Sequence, residues 1–185
     1  IYNSTRPIIF AGGGVVSSGA SKELTEFAKL SRIPVTTSLL GKGVFPEEDK
    51  LSLMMAGMHG TKYANLAMVE ANLIIGIGVR FDDRVTGNLS EFGKNAEIIH
   101  IDIDPAEIGK NVRVKIPIVG DAKNVLADLI KEYKAISNEK GEAKRDEWIK
   151  TICKWKKDFP VNYFDEPDSL KPGFVIETLY NIVKD

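Results

Sequence analysis

The strongest constraint on this chain is a repeated alternation over residues 1–125. Short apolar runs rich in β-branched residues take turns with stretches that carry apolar side chains at helical spacing. The runs are Pro7-Ile8-Ile9-Phe10-Ala11, Ile33-Pro34-Val35-Thr36-Thr37, Leu73-Ile74-Ile75-Gly76-Ile77, Glu97-Ile98-Ile99-His100-Ile101 and Lys115-Ile116-Pro117-Ile118-Val119. None shows the strict apolar–polar alternation of a half-exposed strand, which predicts strands covered on both faces. The intervening stretches predict amphipathic helices. Leu24, Phe27 and Ala28 mark one over Ser21–Ser31, Ala64, Ala67 and Met68 mark the next, and Val125, Leu126, Leu129 and Ile130 mark a third after Asp121. Leu51 to Gly60 reads as a Met- and Gly-rich loop. Parallel neighbours need crossover connections, almost always right-handed. The expectation is an α/β fold, a doubly wound parallel sheet with helices on both faces. Its ligand site belongs beyond the carboxyl ends of the strands.

Beyond that region the pattern changes. Lys131 to Lys150 is strongly charged, with a break expected at Ser137-Asn138-Glu139-Lys140-Gly141. A helix then carries Trp148, Ile152 and Trp155, the two indoles seven residues apart and so on one face. After Pro160 the chain is loop-like until Lys171-Pro172, where a last helix holds Val175, Leu179 and Ile182. Residues 1–133 are therefore read as one domain, and 134–185 as a charged connection and helical lead-in to another.

Composition narrows the function classes. Lys plus Arg number 25 against 26 Asp plus Glu, a net charge of −1, so no field draws nucleic acid or an anionic membrane. No apolar run approaches the roughly 20 residues that cross a bilayer. Cys153 is alone and His59 and His100 are the only imidazoles, which excludes an intrachain disulfide and disfavours a Cys- or His-based metal site. A reducing cytoplasm or an organelle interior fits that cysteine usage.

The loops that follow the expected strands carry the chemistry. Gly12-Gly13-Gly14 is either a tight turn or a loop that lets a phosphate approach the backbone. It fails the dinucleotide fingerprint: the third glycine position is Ser17, and Ser38 and Leu39 stand where a ribose-binding carboxylate belongs. A nicotinamide dehydrogenase is disfavoured. Ala56-Gly57-Met58-His59-Gly60-Thr61 offers a thioether and an imidazole between glycines, either against a flat ring or as plain surface. Gly78-Val79-Arg80-Phe81-Asp82-Asp83-Arg84-Val85-Thr86-Gly87 concentrates charge after the most apolar run. Its arginines either hold phosphate or carboxylate groups or form surface ion pairs. Asp102-Ile103-Asp104-Pro105 and Gly120-Asp121-Ala122 place carboxylates that either accept from ribose hydroxyls or cap the next helix. Together the loops describe a site for an extended ligand with phosphates, sugar and a ring system.

These segments resemble the central domain of acetolactate synthase (acetohydroxyacid synthase), a thiamine-diphosphate enzyme. The resemblance rests on Arg6-Pro7 through Gly14, Ile33 through Leu39, Gly57-Met58-His59-Gly60-Thr61, Gly78 through Gly87 and His100 through Asn111, and covers about residues 6 to 185. It implies a Rossmann-like domain that holds FAD, in a role that is not redox in the main reaction. The lining residues it implies are Gly12, Gly13, Gly14, Ser38, Leu39, Ala56, Gly57, Met58, His59, Gly78, Val79, Arg80, Phe81, Asp82, Asp102, Ile103, Gly120, Asp121 and Ala122. Asp83 and Arg84 would face the substrate channel. Ala56 departs from the family, where many members carry Leu.

The resemblance further implies a parent that condenses two 2-oxo acids with loss of CO2 in branched-chain amino-acid synthesis. Thiamine diphosphate and magnesium would bind on other domains of the same subunit. The activating glutamate and the metal–diphosphate motif of the family do not occur in this chain, so it is expected to be catalytically inactive alone and to hold no metal. The parent is expected as a homodimer or homotetramer, with or without a small regulatory subunit. It would work in the bacterial cytoplasm, or in a chloroplast or mitochondrion. The alternatives are a related decarboxylase domain that binds ADP or no nucleotide, and a purely structural bridge between catalytic domains.

Overall fold

The computed structural model describes residues 1–88, 91–140, 144–162 and 170–184. Within them, β1 (Pro7–Ala11), β2 (Val35–Thr37), β3 (Ser52–Met55), β4 (Leu73–Ile77), β5 (Glu97–Asp102) and β6 (Ile116–Val119) form one parallel sheet in the order β3-β2-β1-β4-β5-β6. The helices are α1 (Gly13–Ser17), α2 (Ser21–Ser31), α3 (Lys62–Glu70), α4 (Asp83–Thr86), α5 (Ala122–Lys140), α6 (Asp146–Asp158) and α7 (Pro172–Val183), with a 3-10 turn at Leu39–Gly41. This is the doubly wound α/β architecture that the apolar runs predict.

The side-chain period of two divides each central strand between two cores. Ile9, Ala11, Ile75, Ile77, Ile99 and Ile101 pack with Leu24 and Phe27 of α2 and Leu126 and Ile130 of α5. Ile8, Phe10, Ile74 and Ile98 pack on the other side with Tyr63, Ala64 and Ala67 of α3 and Trp148 and Ile152 of α6. Unbroken apolar runs are thus what a sheet covered on both faces requires. Ile74, Ile75 and Ile77 are fully buried, and full burial of each contributes about 1.5–3 kcal/mol.

Three readings of the sequence change. The expected loop over Leu51–Gly60 contains β3, an edge strand of four residues; Met54 has φ +58 and the register with β2 shifts between Val35 and Thr37. That irregularity and its two methionines hide it from any period-two pattern. β2 starts at Val35, because Pro34 lacks an N–H, although its carbonyl still accepts from Ile9 N at 2.8 Å. The break expected from Ser137 does not begin there: α5 continues through Ser137, Asn138 and Glu139 to Lys140. The Gly141 end of that expected break lies outside the described residues.

α6 lies against the sheet. Trp148 is buried, donates Nε1–H to Pro7 O at 3.0 Å and meets Trp155 edge-on at 5.7 Å between ring centroids, so both indoles share one face. Just before α6, Arg145 is fully buried and donates to Tyr133 Oη at 2.8 Å, to Ile1 O at 2.7 Å and to Ser31 O at the end of α2. α7 has no buried residue; Val175, Leu179 and Ile182 are all exposed.

Candidate functional site

The strand order reverses between β1 and β4, where sheets of this type bind ligands beyond their carboxyl ends. The loops after β1 and β4 meet there. Gly12 N donates to Ile77 O at 2.9 Å and Gly14 N to Gly78 O at 3.0 Å. A Cβ on Gly12 would lie 2.2 Å from Gly78 O, so the backbones touch where only glycine fits. The amides of Gly12 and Gly14 are therefore engaged by the neighbouring loop, and both glycines have a packing reason that needs no ligand. Gly13 abuts Leu40, 3.2 Å from where its Cβ would be.

The rim continues on both sides. Ser38 N donates to Ala11 O at 2.9 Å, which brings Ser38 and Leu39 beside the glycine loop. Gly57 has φ +100, and its would-be Cβ meets Arg84 O at 2.7 Å; Met58 N donates to that same carbonyl at 2.9 Å. The segments around Met58-His59 and Asp83-Arg84 are thus adjacent. On the far side Gly120 N donates to Asp102 O at 2.9 Å, which places Asp121 and Ala122 beside Asp102 and Ile103.

Side-chain placement separates the expected residues into two groups. Ala56, Val79, Phe81 and Ala122 are buried, so Val79 and Phe81 can offer a ligand only main-chain atoms. Phe81 sits edge-on to Phe10, Phe92 and His100 in the core. In contrast Leu39 (66% exposed), Met58 (76%) and Ile103 (70%) project apolar side chains to solvent from three loops of one rim, beside Leu40. Scattered apolar exposure is ordinary, and these side chains make the carboxyl-end rim a candidate ligand surface.

The charged residues also divide. Arg80, Asp82, Asp83 and Arg84 are exposed, and among the described residues neither guanidinium has an ion-pair or side-chain partner. The surface ion-pair cluster that the sequence left open does not form. Asp121 Oδ1 accepts from Lys123 N at 3.0 Å and Asn124 N at 3.2 Å and caps α5, while Asp102 Oδ1 accepts from Asp104 N at 2.9 Å and closes a turn. Each keeps a second carboxylate oxygen. His59 is exposed on the rim.

Three residues outside the expected lining set fix the rim. Asn65 closes on both backbone groups of Gly57, at 2.8 and 3.0 Å. Asn111 Nδ2 donates to Arg80 O at 3.2 Å. His100, fully buried on β5, donates Nε2–H to Val79 O at 2.8 Å, because a carbonyl can only accept; its Nδ1 is then bare and without a partner. Burial holds the His100 imidazole below its ordinary range, and it stays neutral. A helical Asn facing a glycine loop was the one available signal, since its offset of eight residues spans one loop and one helical turn.

Two grooves lie elsewhere. One, of about 720 Å³, is lined by Arg6, Glu70, Arg145 and Trp148 near the residues that precede β1 and β4. The other, of about 470 Å³, is lined by Glu47, Tyr63 and Lys156 beside edge strand β3. Both are lined by charges of both signs, whereas the rim brings together the switch-point loops, two guanidiniums without partners among the described residues, and exposed apolar side chains. The rim is the candidate site. Among the described residues no group of three or more His, Cys, Asp or Glu is placed to hold a metal, and no helix is long and apolar enough to cross a membrane.

Comparison with known proteins gives one answer. Residues 1–129 match the family described as thiamine pyrophosphate enzyme, central domain. The whole chain is 50% identical to a probable acetolactate synthase large subunit of Methanocaldococcus jannaschii and covers 31% of it. It is 46% identical to the acetolactate synthase large subunit of Cyanidium caldarium, again over the whole chain and 32% of that protein. Over 97% of its length it is 46% identical to that of Haemophilus influenzae, covering 31% of it. The chain thus spans about a third of the length of these relatives. With the sheet order and the extent of the match, it belongs to the thiamine pyrophosphate enzyme family, as a central domain.

Proposed function

We propose that this chain is the FAD-binding central domain of an acetolactate synthase. The observation that carries the reading is the pair of unpaired guanidiniums, Arg80 and Arg84, on a rim that also exposes Leu39, Met58 and Ile103. FAD carries an anionic diphosphate, ribose hydroxyls and two flat ring systems, and this rim offers a counterpart to each. Arg80 would neutralise phosphate, the free oxygens of Asp102 and Asp121 would accept from hydroxyls, and Leu39 and Met58 would cover a ring and exclude water. The glycines at 12, 14 and 78 bring the loops after β1 and β4 together.

The parent reaction, condensation of pyruvate with pyruvate or 2-oxobutanoate and loss of CO2, is part of the same proposal. Thiamine diphosphate and magnesium, on domains outside this chain, would supply the carboligation chemistry. The task of this chain is positioning. Arg84, with Asp83 beside it, would orient the carboxylate of an incoming 2-oxo acid through two parallel hydrogen bonds. Other domains of the same subunit and further copies, with or without a regulatory subunit, complete the proposed assembly.

Purifying the full-length subunit and recording its absorbance tests the cofactor reading. A flavin band that persists through gel filtration is the expected result. A protein that carries ADP in its place points to a related decarboxylase, and one that binds neither supports a structural bridge.

A further inference from the structure

On the first turn of α3, Asn65 turns its side chain back to the rim. Its Oδ1 accepts from Gly57 N at 2.8 Å and its Nδ2 donates to Gly57 O at 3.0 Å, so one carboxamide grips both backbone groups of one residue. The α3 turn that carries it is capped by Thr61, whose Oγ1 accepts from Ala64 N at 3.1 Å and donates to Leu53 O at 2.9 Å. The anchor is therefore tied to both a helix and the sheet.

The grip extends further. Met58, next to Gly57, donates its amide to Arg84 O at 2.9 Å, and a Cβ on Gly57 would lie 3.3 Å from Val85 Cα. Arg84 belongs to α4, four residues held from within by Asp82 O, which accepts from Val85 N at 3.1 Å, Thr86 N at 2.9 Å and Thr86 Oγ1 at 3.0 Å. A single helical turn is unstable by itself, because fixing its backbone costs more than its few hydrogen bonds return. Its conformation depends on outside ties, and the Met58 amide is one.

We propose that Asn65 is a positioning residue that sets the Gly57-Met58-His59 turn and, through the Met58–Arg84 hydrogen bond, the Asp83-Arg84 turn, so that the two segments order together. The consequence for function rests on the reading above, in which the first segment faces the cofactor and the second the substrate. An amide is the group the geometry requires: it is neutral and presents one acceptor and one donor in a plane. A carboxylate keeps the acceptor for Gly57 N but sets a negative oxygen against Gly57 O. A protonated carboxyl restores the pattern, with C=O accepting and O–H donating.

The test uses the full-length subunit with Asn65→Ala and Asn65→Asp. Hydrogen exchange is followed in peptides covering 56–61 and 82–88 over a pH series, each variant against wild type at the same pH, with FAD titrated in parallel by flavin fluorescence. In Asn65→Ala, which removes both hydrogen bonds to Gly57, exchange should rise about tenfold or more in both segments and FAD affinity should fall about tenfold, or about 1.4 kcal/mol. In Asn65→Asp both segments should loosen at neutral pH and tighten again as the carboxyl protonates, a recovery that Ala does not show. This pH response also decides the matter if the Ala variant does not fold. Loosening confined to 56–61 would overturn the coupling, and unchanged exchange in both would overturn the positioning role. If wild type takes up no FAD, the cofactor reading fails while the exchange data still judge the coupling.

Discussion

Gly14 and Gly78 occupy each other's side-chain space. Gly14 N donates to Gly78 O at 3.0 Å, and a Cβ built on either lies 2.6 Å from the Cα of the other. The loops that leave the two central strands are thereby locked together at the point where the strand order reverses, and the rest of the rim is built around that contact.

Gly78→Ala should therefore be costly on two counts. The added methyl must push two backbones apart, an overpacking of about 1–3 kcal/mol, and φ at Gly78 is +55, where a Cβ adds roughly 1–2 kcal/mol. Gly19→Ala is the control, since Gly19 has φ +62 but nothing within 4 Å of its would-be Cβ. Urea titrations followed by circular dichroism should show a clearly larger loss of stability for Gly78→Ala. Equal losses would mean that the interlock contributes nothing beyond backbone strain.

His100 gives the fold a pH dependence of defined sign. Buried and held below its ordinary value of 6.5, the folded imidazole binds protons less readily than the unfolded one. Well above pH 6.5 both states are neutral and the residue contributes no slope. As pH falls from there towards the lowered folded value, the unfolded chain takes up the proton first and stability declines. His100→Gln, which can still donate to Val79 O, should remove that share of the acid sensitivity. The check is the difference in unfolding free energy between wild type and variant from pH 7 downward; parallel curves would show that His100 is not held neutral.

Much of the fold was legible because the chain writes it locally. Ile74, Ile75 and Ile77, with no polar residue among them, signal a strand covered on both faces, and Leu24, Phe27 and Ala28 signal the helix that covers one. β3 was not legible, since a four-residue edge strand with a bulge at Met54 has neither length nor period. The site was legible only as a set of loops. Glycine and charge after apolar strands point to the rim, but nothing local shows that Val79 and Phe81 turn inward while Met58 and Ile103 turn outward. Nor does it show that Asn65 and Asn111 hold main-chain atoms of other loops, because those contacts exist only after the sheet has assembled.

Arg84 offers a test of the substrate-facing part of the rim. In the full-length subunit Arg84→Ala should lower carboligation far more than it lowers melting temperature or flavin content, because its side chain is exposed and has no partner among the described residues. Arg84→Lys should restore the charge but only part of the activity, as an ammonium cannot make two parallel bonds to a carboxylate. Steady-state kinetics with pyruvate distinguish the cases. Wild-type rates in the Ala variant would remove Arg84 from the substrate path.

Whether this rim holds FAD, as proposed, is tested by calorimetric titration of flavin-stripped full-length subunit with FAD, for wild type and Arg80→Ala. Wild type should bind saturably, and Arg80→Ala should lose about 1.5–3 kcal/mol, roughly one to two decades in affinity, from removing one charge-assisted contact. No heat of binding in wild type, or the same dissociation constant in both proteins, would contradict it.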